Sequence, residues 1–226
     1  MKHLCIHGHF YQPSRENPWT DVVEVEDTAS PYHDWNEGVT AECYARNASS
    51  RLLDEGGRIL RIVNNYAHLS FNVGPTLLRW LARHAPGTYE LILEGDRVSR
   101  KDQYGHGGAI AQVHNHVIMP LATTRDRVTQ VRWGIRDFER RFKRKPEGIW
   151  LPETAVDVET LEILVSHGMG FTLLAPHQAK RIRRAEGAWK DVTEDTLDVT
   201  VPYRCRLPSG RSIAIFFYHG PTSRAV

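Results

Sequence analysis

The chain has 226 residues, 41% hydrophobic and 25% charged, a composition typical of a folded globular protein rather than a disordered one. Its 29 basic and 27 acidic side chains nearly balance at a net charge of +2, which argues against a general nucleic-acid-binding role. No apolar run approaches the roughly 18 residues needed to cross a bilayer, so we expect no membrane-spanning segment and no membrane partner.

Short β-rich runs alternate with helical patterns along the chain. The predicted strands are, in chain order, 2–7, 67–73, 108–113, 147–151, 171–174 and 211–218. The predicted helices are 41–55, one beginning at Pro75, 88–98, 124–144 and 157–167. Residues 10–38 are predicted to form a long polar loop, and the polar stretch 178–205 is interpreted as a hairpin insertion.

This alternation predicts an α/β fold with a parallel sheet and outer helices, either as an open doubly wound sheet or as a (β/α) barrel. Polar side chains placed just past successive predicted strands favour the barrel, because catalytic groups gather at that rim of a barrel. These side chains are His7, His9, Asn72, His114, His116, Glu153, His177 and His219.

Three cysteines, Cys5, Cys43 and Cys205, are far apart and odd in number. A disulfide framework or a structural zinc ribbon would need closer or paired spacing. We therefore expect reduced thiols in a cytoplasmic protein.

Two histidine pairs follow predicted strands: His7 and His9, and His114 and His116. Alternate residues of an extended strand point the same way, so both members of a pair can face one site. Such imidazoles could hydrogen-bond the hydroxyl groups of a sugar, ligate a metal ion, or serve only as structural groups at a strand end.

The stretch Gly148–Glu153 (GIWLPE) ends a predicted strand with Trp150 and places a carboxylate directly after Pro152. A nucleophile or a base must be held in a fixed geometry, and a strand end followed by proline provides one. Glu153 is therefore the candidate catalytic residue, and Trp150 is expected to wall the site.

The long segment 10–38 carries Tyr11, Trp19, Tyr32 and Trp35 among many carboxylates. Loops of this length within a compact domain are usually functional or disordered. Aromatic rings that stack on sugar faces, Trp35 among them, would suit a carbohydrate cleft. A lid that only packs on the rim of the sheet is the alternative.

At these motifs the sequence resembles glycoside hydrolase family 57, which contains α-amylases, 4-α-glucanotransferases and branching enzymes. The stretch His7–Pro13 (HGHFYQP) looks like the family's first motif, His116–Leu121 (HVIMPL) is similar to its second, and Gly148–Glu153 looks like its third. The resemblance spans residues 3–153 in the family's order, and the third motif is the most specific.

The resemblance implies a seven-stranded (β/α) barrel and a retaining enzyme that acts on α-glucans without a metal or other cofactor. It implies that Glu153 is the nucleophile. Substrate-binding roles follow for His7, His9, His116 and Trp150, with His114 and Trp35 as further candidates.

One family motif has no counterpart: the Asp-x-Glu followed by Gly-His that supplies the general acid/base. Asp157-Val158-Glu159 has its first letters, but no Gly-His follows. We therefore expect residues 1–226 to be the N-terminal part of an incomplete barrel, inactive alone. One alternative is a metal-dependent hydrolase, either amidohydrolase-like or a polysaccharide deacetylase, with the paired histidines as ligands. The other is a non-catalytic sugar-binding or interaction domain.

Overall fold

The structure, a computed structural model, describes residues 4–185 and 187–225. Its strands are β1 (His7–Phe10), β2 (Ser50–Leu53), β3 (Ile59–Val63), β4 (Ser70–Val73), β5 (Ala111–Gln112), β6 (Ile149–Trp150), β7 (Phe171–Leu174), β8 (Arg181–Ile182), β9 (Lys190–Asp191), β10 (Tyr203–Arg206) and β11 (Ser212–Phe217). Its helices are α1 (Trp35–Val39), α2 (Ala45–Ala48), α3 (Pro75–His84), α4 (Pro86–Asp102), α5 (Thr124–Phe142), α6 (Val158–Ser166) and α7 (Gly220–Ser223). A π-helical turn over Thr40–Tyr44 joins α1 to α2.

Six parallel strands form the central sheet, in the order β1-β4-β5-β6-β7-β11. The pairs β1–β4, β5–β6 and β7–β11 are parallel ladders. Single parallel bridges, Phe71 to Ala109 and Gly148 to Phe171, join these pairs into one sheet. Strand β10 adds an antiparallel edge beside β11. The α/β class is confirmed, and each of the six predicted strands overlaps one strand of this parallel sheet.

The sheet is strongly curved. In a flat sheet β1 and β6 would lie three strand spacings apart, about 14 Å. The ring of Trp150 on β6 nevertheless stacks on that of His9 on β1, with centroids 4.7 Å apart. Within residues 4–185 and 187–225, however, β1 pairs with neither β10 nor β11. The described strands therefore form a curved, open sheet and no closed barrel, and the expected seven-stranded barrel, of which this chain would be an incomplete part, stays a prediction.

The outer layer is helical, and α3, α4, α5 and α6 pack against one another and against the strands. Helices α3, α5 and α6 begin where the sequence predicts a start: Pro75 opens α3, and the Asp157 side chain caps α6 by accepting from the Thr160 N–H at 2.8 Å. Helix α4 begins at Pro86 and ends at Asp102, so it is longer at both ends than the predicted 88–98. The core between sheet and helices is apolar, and its fully enclosed members include Phe71, Leu81, Val131, Ile149 and Leu164.

Two local predictions are wrong. The helix predicted over 41–55 ends at Ala48, and the chain then forms the antiparallel hairpin of β2 and β3 around a turn that needs Gly57 at φ 78°. The strand predicted over 2–7 begins only at His7, and residues 1–3 lie outside the described residues. The hairpin expected in 178–205 is present as β8 and β9.

None of the helices in the described part of the chain has the length and apolarity that crossing a bilayer requires. Cys5, Cys43 and Cys205 are free thiols, and Cys5 is exposed.

Candidate active site

The site lies on the concave side of the sheet, where β1, β4, β5 and β6 meet. His7 and His9 lie within β1, not beyond its end as predicted, and their spacing of two places both rings on the same face. The parallel register sets His7 beside Ser70 and His9 beside Asn72 on β4. The strand register therefore gathers these side chains.

A buried asparagine connects the two histidines. Asn72 is fully enclosed, and its Oδ1 lies 3.1 Å from His7 Nε2 while its Nδ2 lies 2.9 Å from His9 Nδ1. The same Nδ2 donates to Gln112 Oε1 at 2.5 Å, and His7 Nδ1 lies 2.9 Å from Ser70 Oγ. These contacts fix the orientation of both imidazole rings.

An aromatic stack covers this network. The Trp150 ring lies 5.3 Å from that of His7 and 4.7 Å from that of His9, within 20° of parallel. On the other side of His9, the His116 ring lies at 5.7 Å and stacks in turn on Tyr11 at 4.0 Å. Three motifs of the sequence thus meet in one row of rings.

The stacked histidines favour their neutral forms. Burial lowers the pKa of His7 to about 4, although the Asn72 hydrogen bond opposes the shift. Burial also lowers the pKa of His9, and His116 adds to that effect while Glu153 opposes it. The pKa of His116 is lowered by burial as well, against the attraction of Glu153. Near neutral pH these rings therefore act as uncharged hydrogen-bonding groups.

Glu153 follows β6 in a tight turn with unusual backbone geometry. Its φ and ψ are 54° and 19°, and Thr154 follows with φ 52°. Left-handed conformations of non-glycine residues typically cost about 1–3 kcal/mol each and cluster at functional sites. Among the described residues, no hydrogen bond or ion pair engages the Glu153 carboxylate, which is exposed to the adjacent cavity.

That cavity has a volume of about 380 Å³, which is within the usual range for small-molecule sites. It is lined by His7, His9, Trp150, Glu153, Thr154, Leu173, Tyr218 and Ser223. The lining thus contains a carboxylate, two imidazoles and an indole. It also reaches Tyr218, which directly follows β11, the last parallel strand of the sheet. An arrangement of this kind can bind a polyhydroxylated ligand and present a nucleophile to it.

Of the predicted site residues, four line the cavity: His7, His9, Trp150 and Glu153. His116 joins them through the stack. His114 does not: its ring lies edge-on to Trp133 of α5, with centroids 5.5 Å apart. The chain leaves β5 at Gln112 and turns, so the alternation that would place His114 with His116 on one face no longer applies.

Trp35 lies outside the cavity lining too. The Asp34 side chain caps α1 and fixes Trp35 in its first turn, where the indole donates to Thr28 Oγ1 at 3.0 Å. Glu16 of the same segment contacts α3 instead, with its carboxylate 3.5 Å from Arg79. Tyr11 is the contact of this segment with the site, and no residue of 10–38 belongs to the described cavity lining.

Sequence reasoning missed several contributors. Ser70 and Gln112 are within predicted strands, so their place beside His7 and Asn72 depends on strand register that local patterns do not reveal. Tyr218 ends the predicted strand 211–218, and its position at a strand end was an available signal. Across residues 4–185 and 187–225, no three His, Cys, Asp or Glu side chains are grouped to hold a metal ion.

Comparison with known proteins gives a family. The model of glycosyl hydrolase family 57 matches residues 25–226. The match includes the stretches around His116 and Glu153, and it begins after the first motif with His7 and His9. A comparison with curated proteins found no match.

Solved structures resemble the fold over 97% of this chain. They include an exo-type maltose-forming amylase from Pyrococcus sp. ST04, with 19% identity and a TM-score of 0.64. A 4-alpha-glucanotransferase from Thermococcus litoralis has 15% identity and a TM-score of 0.62, and a branching enzyme from Thermococcus kodakaraensis has 16% and 0.56.

The chain covers 35%, 28% and 48% of these three structures, so it spans less than half the length of each. At such identities the likeness shows the fold, whereas the family model covers most of the chain. The chain therefore belongs to glycosyl hydrolase family 57.

Proposed function

We propose that this chain supplies the nucleophile half of a retaining glycoside hydrolase or transglycosylase that acts on α-glucans. The observation that carries the proposal is the Glu153 carboxylate, which none of the described residues engages and which a left-handed backbone holds at a cavity shared with His7, His9 and Trp150. In the retaining mechanism a carboxylate attacks the anomeric carbon, the glycosidic bond breaks, and a covalent glycosyl-enzyme forms.

The neutral histidines and the indole suit the rest of the task. Imidazole nitrogens can hydrogen-bond sugar hydroxyls, and such bonds strengthen as positive charge develops on the sugar ring. The Trp150 ring, packed against two imidazoles, forms a rigid wall beside Glu153. Because these groups are uncharged, they form no ion pair with the Glu153 carboxylate, which stays available for attack.

The retaining mechanism also needs a general acid. Retaining enzymes place a second carboxyl group about 5–5.5 Å from the nucleophile. Glu153 is the one carboxylate in the described cavity lining. Asp157 does not fit the role: burial would raise its pKa, but hydrogen bonds from Thr160 and Arg127 outweigh it and hold the pKa below its usual value. We propose that a carboxylic acid outside residues 1–226 supplies the proton and that this chain alone does not turn over glucans.

The family and the similar solved structures support a proposal for the substrate class. The three similar solved structures are named as an amylase, a 4-alpha-glucanotransferase and a branching enzyme. We propose α-linked glucose oligomers or polymers as the substrate of this chain, and either water or a second sugar as the acceptor.

A trapping experiment separates the two halves of the mechanism. The fluoride of α-maltosyl fluoride leaves without protonation, so Glu153 can be glycosylated even where the general acid is absent. Without that residue to activate water, the covalent intermediate should accumulate. Intact-mass spectrometry should therefore show the addition of one maltosyl group, and peptide mapping should place it on Glu153.

Glu153→Gln should abolish the adduct, and Glu90→Gln, an exposed glutamate on α4, should leave it unchanged. β-Maltosyl fluoride differs from the probe only at the anomeric carbon and should give no adduct. Labelling of the wild-type chain at another residue would contradict the proposed nucleophile. Steady turnover of maltoheptaose by the 226-residue chain would contradict the absence of a general acid.

A further inference from the structure

Asn72 is a buried residue that contacts two histidines through different atoms of one amide group. Its oxygen can only accept hydrogen bonds and its nitrogen can only donate them. Oδ1 faces His7 Nε2 at 3.1 Å, and Nδ2 faces both His9 Nδ1 at 2.9 Å and Gln112 Oε1 at 2.5 Å. The orientation of this amide therefore dictates which ring nitrogens carry protons.

For His7 the assignment is complete. Because Asn72 Oδ1 accepts, His7 must carry its proton on Nε2 and donate it. A neutral imidazole then has a bare Nδ1, which accepts from the Ser70 hydroxyl at 2.9 Å. Both nitrogens of His7 are thus occupied by protein partners.

For His9 the same reasoning leaves one ring nitrogen without a partner among the described residues. Because Asn72 Nδ2 donates to it, His9 Nδ1 is bare and the proton lies on Nε2. His9 Nδ1 also lies 3.2 Å from Asn72 Oδ1, and we assign the amide nitrogen as its partner because the contact to Nδ2 is shorter, at 2.9 Å. Among the described residues no partner engages His9 Nε2, and His9 is exposed at the cavity.

We infer that Asn72, oriented by Gln112, is a positioning residue that sets both His7 and His9 as Nε2–H tautomers. Of the two histidines, only His9 then has an Nε2–H that no described residue engages and that can donate to the ligand. His7 then acts as a support for Trp150 and the network rather than as a ligand-binding group. This divides two roles that the sequence motif makes equivalent. The ligand-binding role of His9 rests on the proposed glycosidase function, whereas the assignment of the two tautomers does not.

The titratable groups that face these rings are few. His7 and His9 face each other across Asn72, and His9 also faces His116, Tyr11 and Glu153. Ser70, Asn72, Gln112 and Trp150 complete the surroundings and do not ionise in the relevant range. Asn72 is therefore the group whose orientation separates the two possible tautomer patterns.

The experiment is nitrogen NMR on the uniformly ¹⁵N-labelled wild-type chain, since long-range ¹H–¹⁵N spectra distinguish Nδ1–H from Nε2–H. His7→Gln and His9→Gln variants assign the two signals by their loss. At pH 7 both histidines should show a protonated Nε2 and a bare Nδ1. If instead both carry the proton on Nδ1, the amides of Asn72 and Gln112 have the opposite orientation and the inference is overturned.

A substitution tests the role of Asn72 directly. Asn72→Asp keeps the acceptor for His7 but replaces the donor to His9 with a carboxylate oxygen. His9 Nδ1 should therefore gain a proton, and the pKa of His9 should rise by about 1–3 units as a nearby anion favours imidazolium. His7 should keep its Nε2 proton.

Asn36→Asp is the matched control, because Asn36 is similarly buried and has no histidine contact among the described hydrogen bonds; it should leave both signals unchanged. An Asn72→Asp spectrum with an unaltered His9 would refute the positioning role. Should that variant not fold, the wild-type tautomers still decide the inference. The maltosyl-trapping experiment is independent, so either result can stand without the other.

Discussion

The indole of Trp150 on β6 stacks on the imidazole of His9 on β1, with ring centroids 4.7 Å apart, although β4 and β5 lie between these two strands in the sheet. The same indole lies 5.3 Å from the ring of His7. Trp150 therefore ties the strand that leads to Glu153 to the strand that carries the first histidine pair. This contact lies inside the curve of the sheet and couples the stability of the fold to the shape of the site.

Trp150→Ala should lower the free energy of unfolding by about 2–4 kcal/mol, because it removes a large half-buried ring and two stacking partners. Urea denaturation followed by circular dichroism measures this. Trp19→Ala is the matched control, since Trp19 is 91% exposed and its removal should change stability by less than about 0.5 kcal/mol. Equal effects of the two substitutions would contradict a structural role for the stack.

The left-handed backbone at Glu153 predicts an inverted order of glycine and alanine. Glycine adopts φ 54° without strain, so Glu153→Gly should be more stable than Glu153→Ala by about 1 kcal/mol. At Glu90, within α4, the order should be the usual one, with alanine more stable by about 1 kcal/mol. Thermal unfolding of the four variants gives the comparison. If the alanine variant is more stable than the glycine variant at both positions, the backbone at Glu153 carries no strain.

A buried ion pair joins α4 to the end of α5. Arg144 and Asp96 make two contacts at 2.7 and 3.0 Å, with side-chain exposures of 9% and 2%. Asp96→Ala should destabilise the protein by about 3–5 kcal/mol, since it leaves the Arg144 charge buried without a partner. Glu94→Ala removes the partner of Arg97 in an exposed pair and should cost less than about 1 kcal/mol. Chemical denaturation should separate the two variants clearly.

The lowered pKa of His7 predicts acid sensitivity. Between its ordinary value of 6.5 and about 4 in the folded protein, the unfolded chain binds more protons than the native one. Stability should therefore fall as the pH drops from 6.5 towards 4, with His7 contributing a slope of up to about 1.4 kcal/mol per pH unit. His7→Gln should reduce this slope, and His68→Gln, at an exposed position, should not. Identical slopes in His7→Gln and wild type would contradict the shift.

The sequence by itself determined the local elements of this protein. The apolar spacing and caps of 124–144 and 157–167 predicted α5 and α6 to within two residues, because helix periodicity and capping depend on neighbours in the chain. The six parallel strands were predicted from short β-rich runs, which are also local features of the chain. The exception is 41–55, where the hairpin of β2 and β3 exposes apolar side chains on both faces and so lacks the alternation of a half-buried strand.

The tertiary structure decided which polar side chains share a site. Motif spacing placed His114 beside His116, yet one turns to Trp133 and the other stacks on Tyr11. Asn72 meets both His7 and His9 because β1 and β4 pair in one particular register, and Trp150 reaches them because the sheet curves. Register and curvature arise from contacts between residues far apart in the chain, so patterns read along the sequence do not contain them.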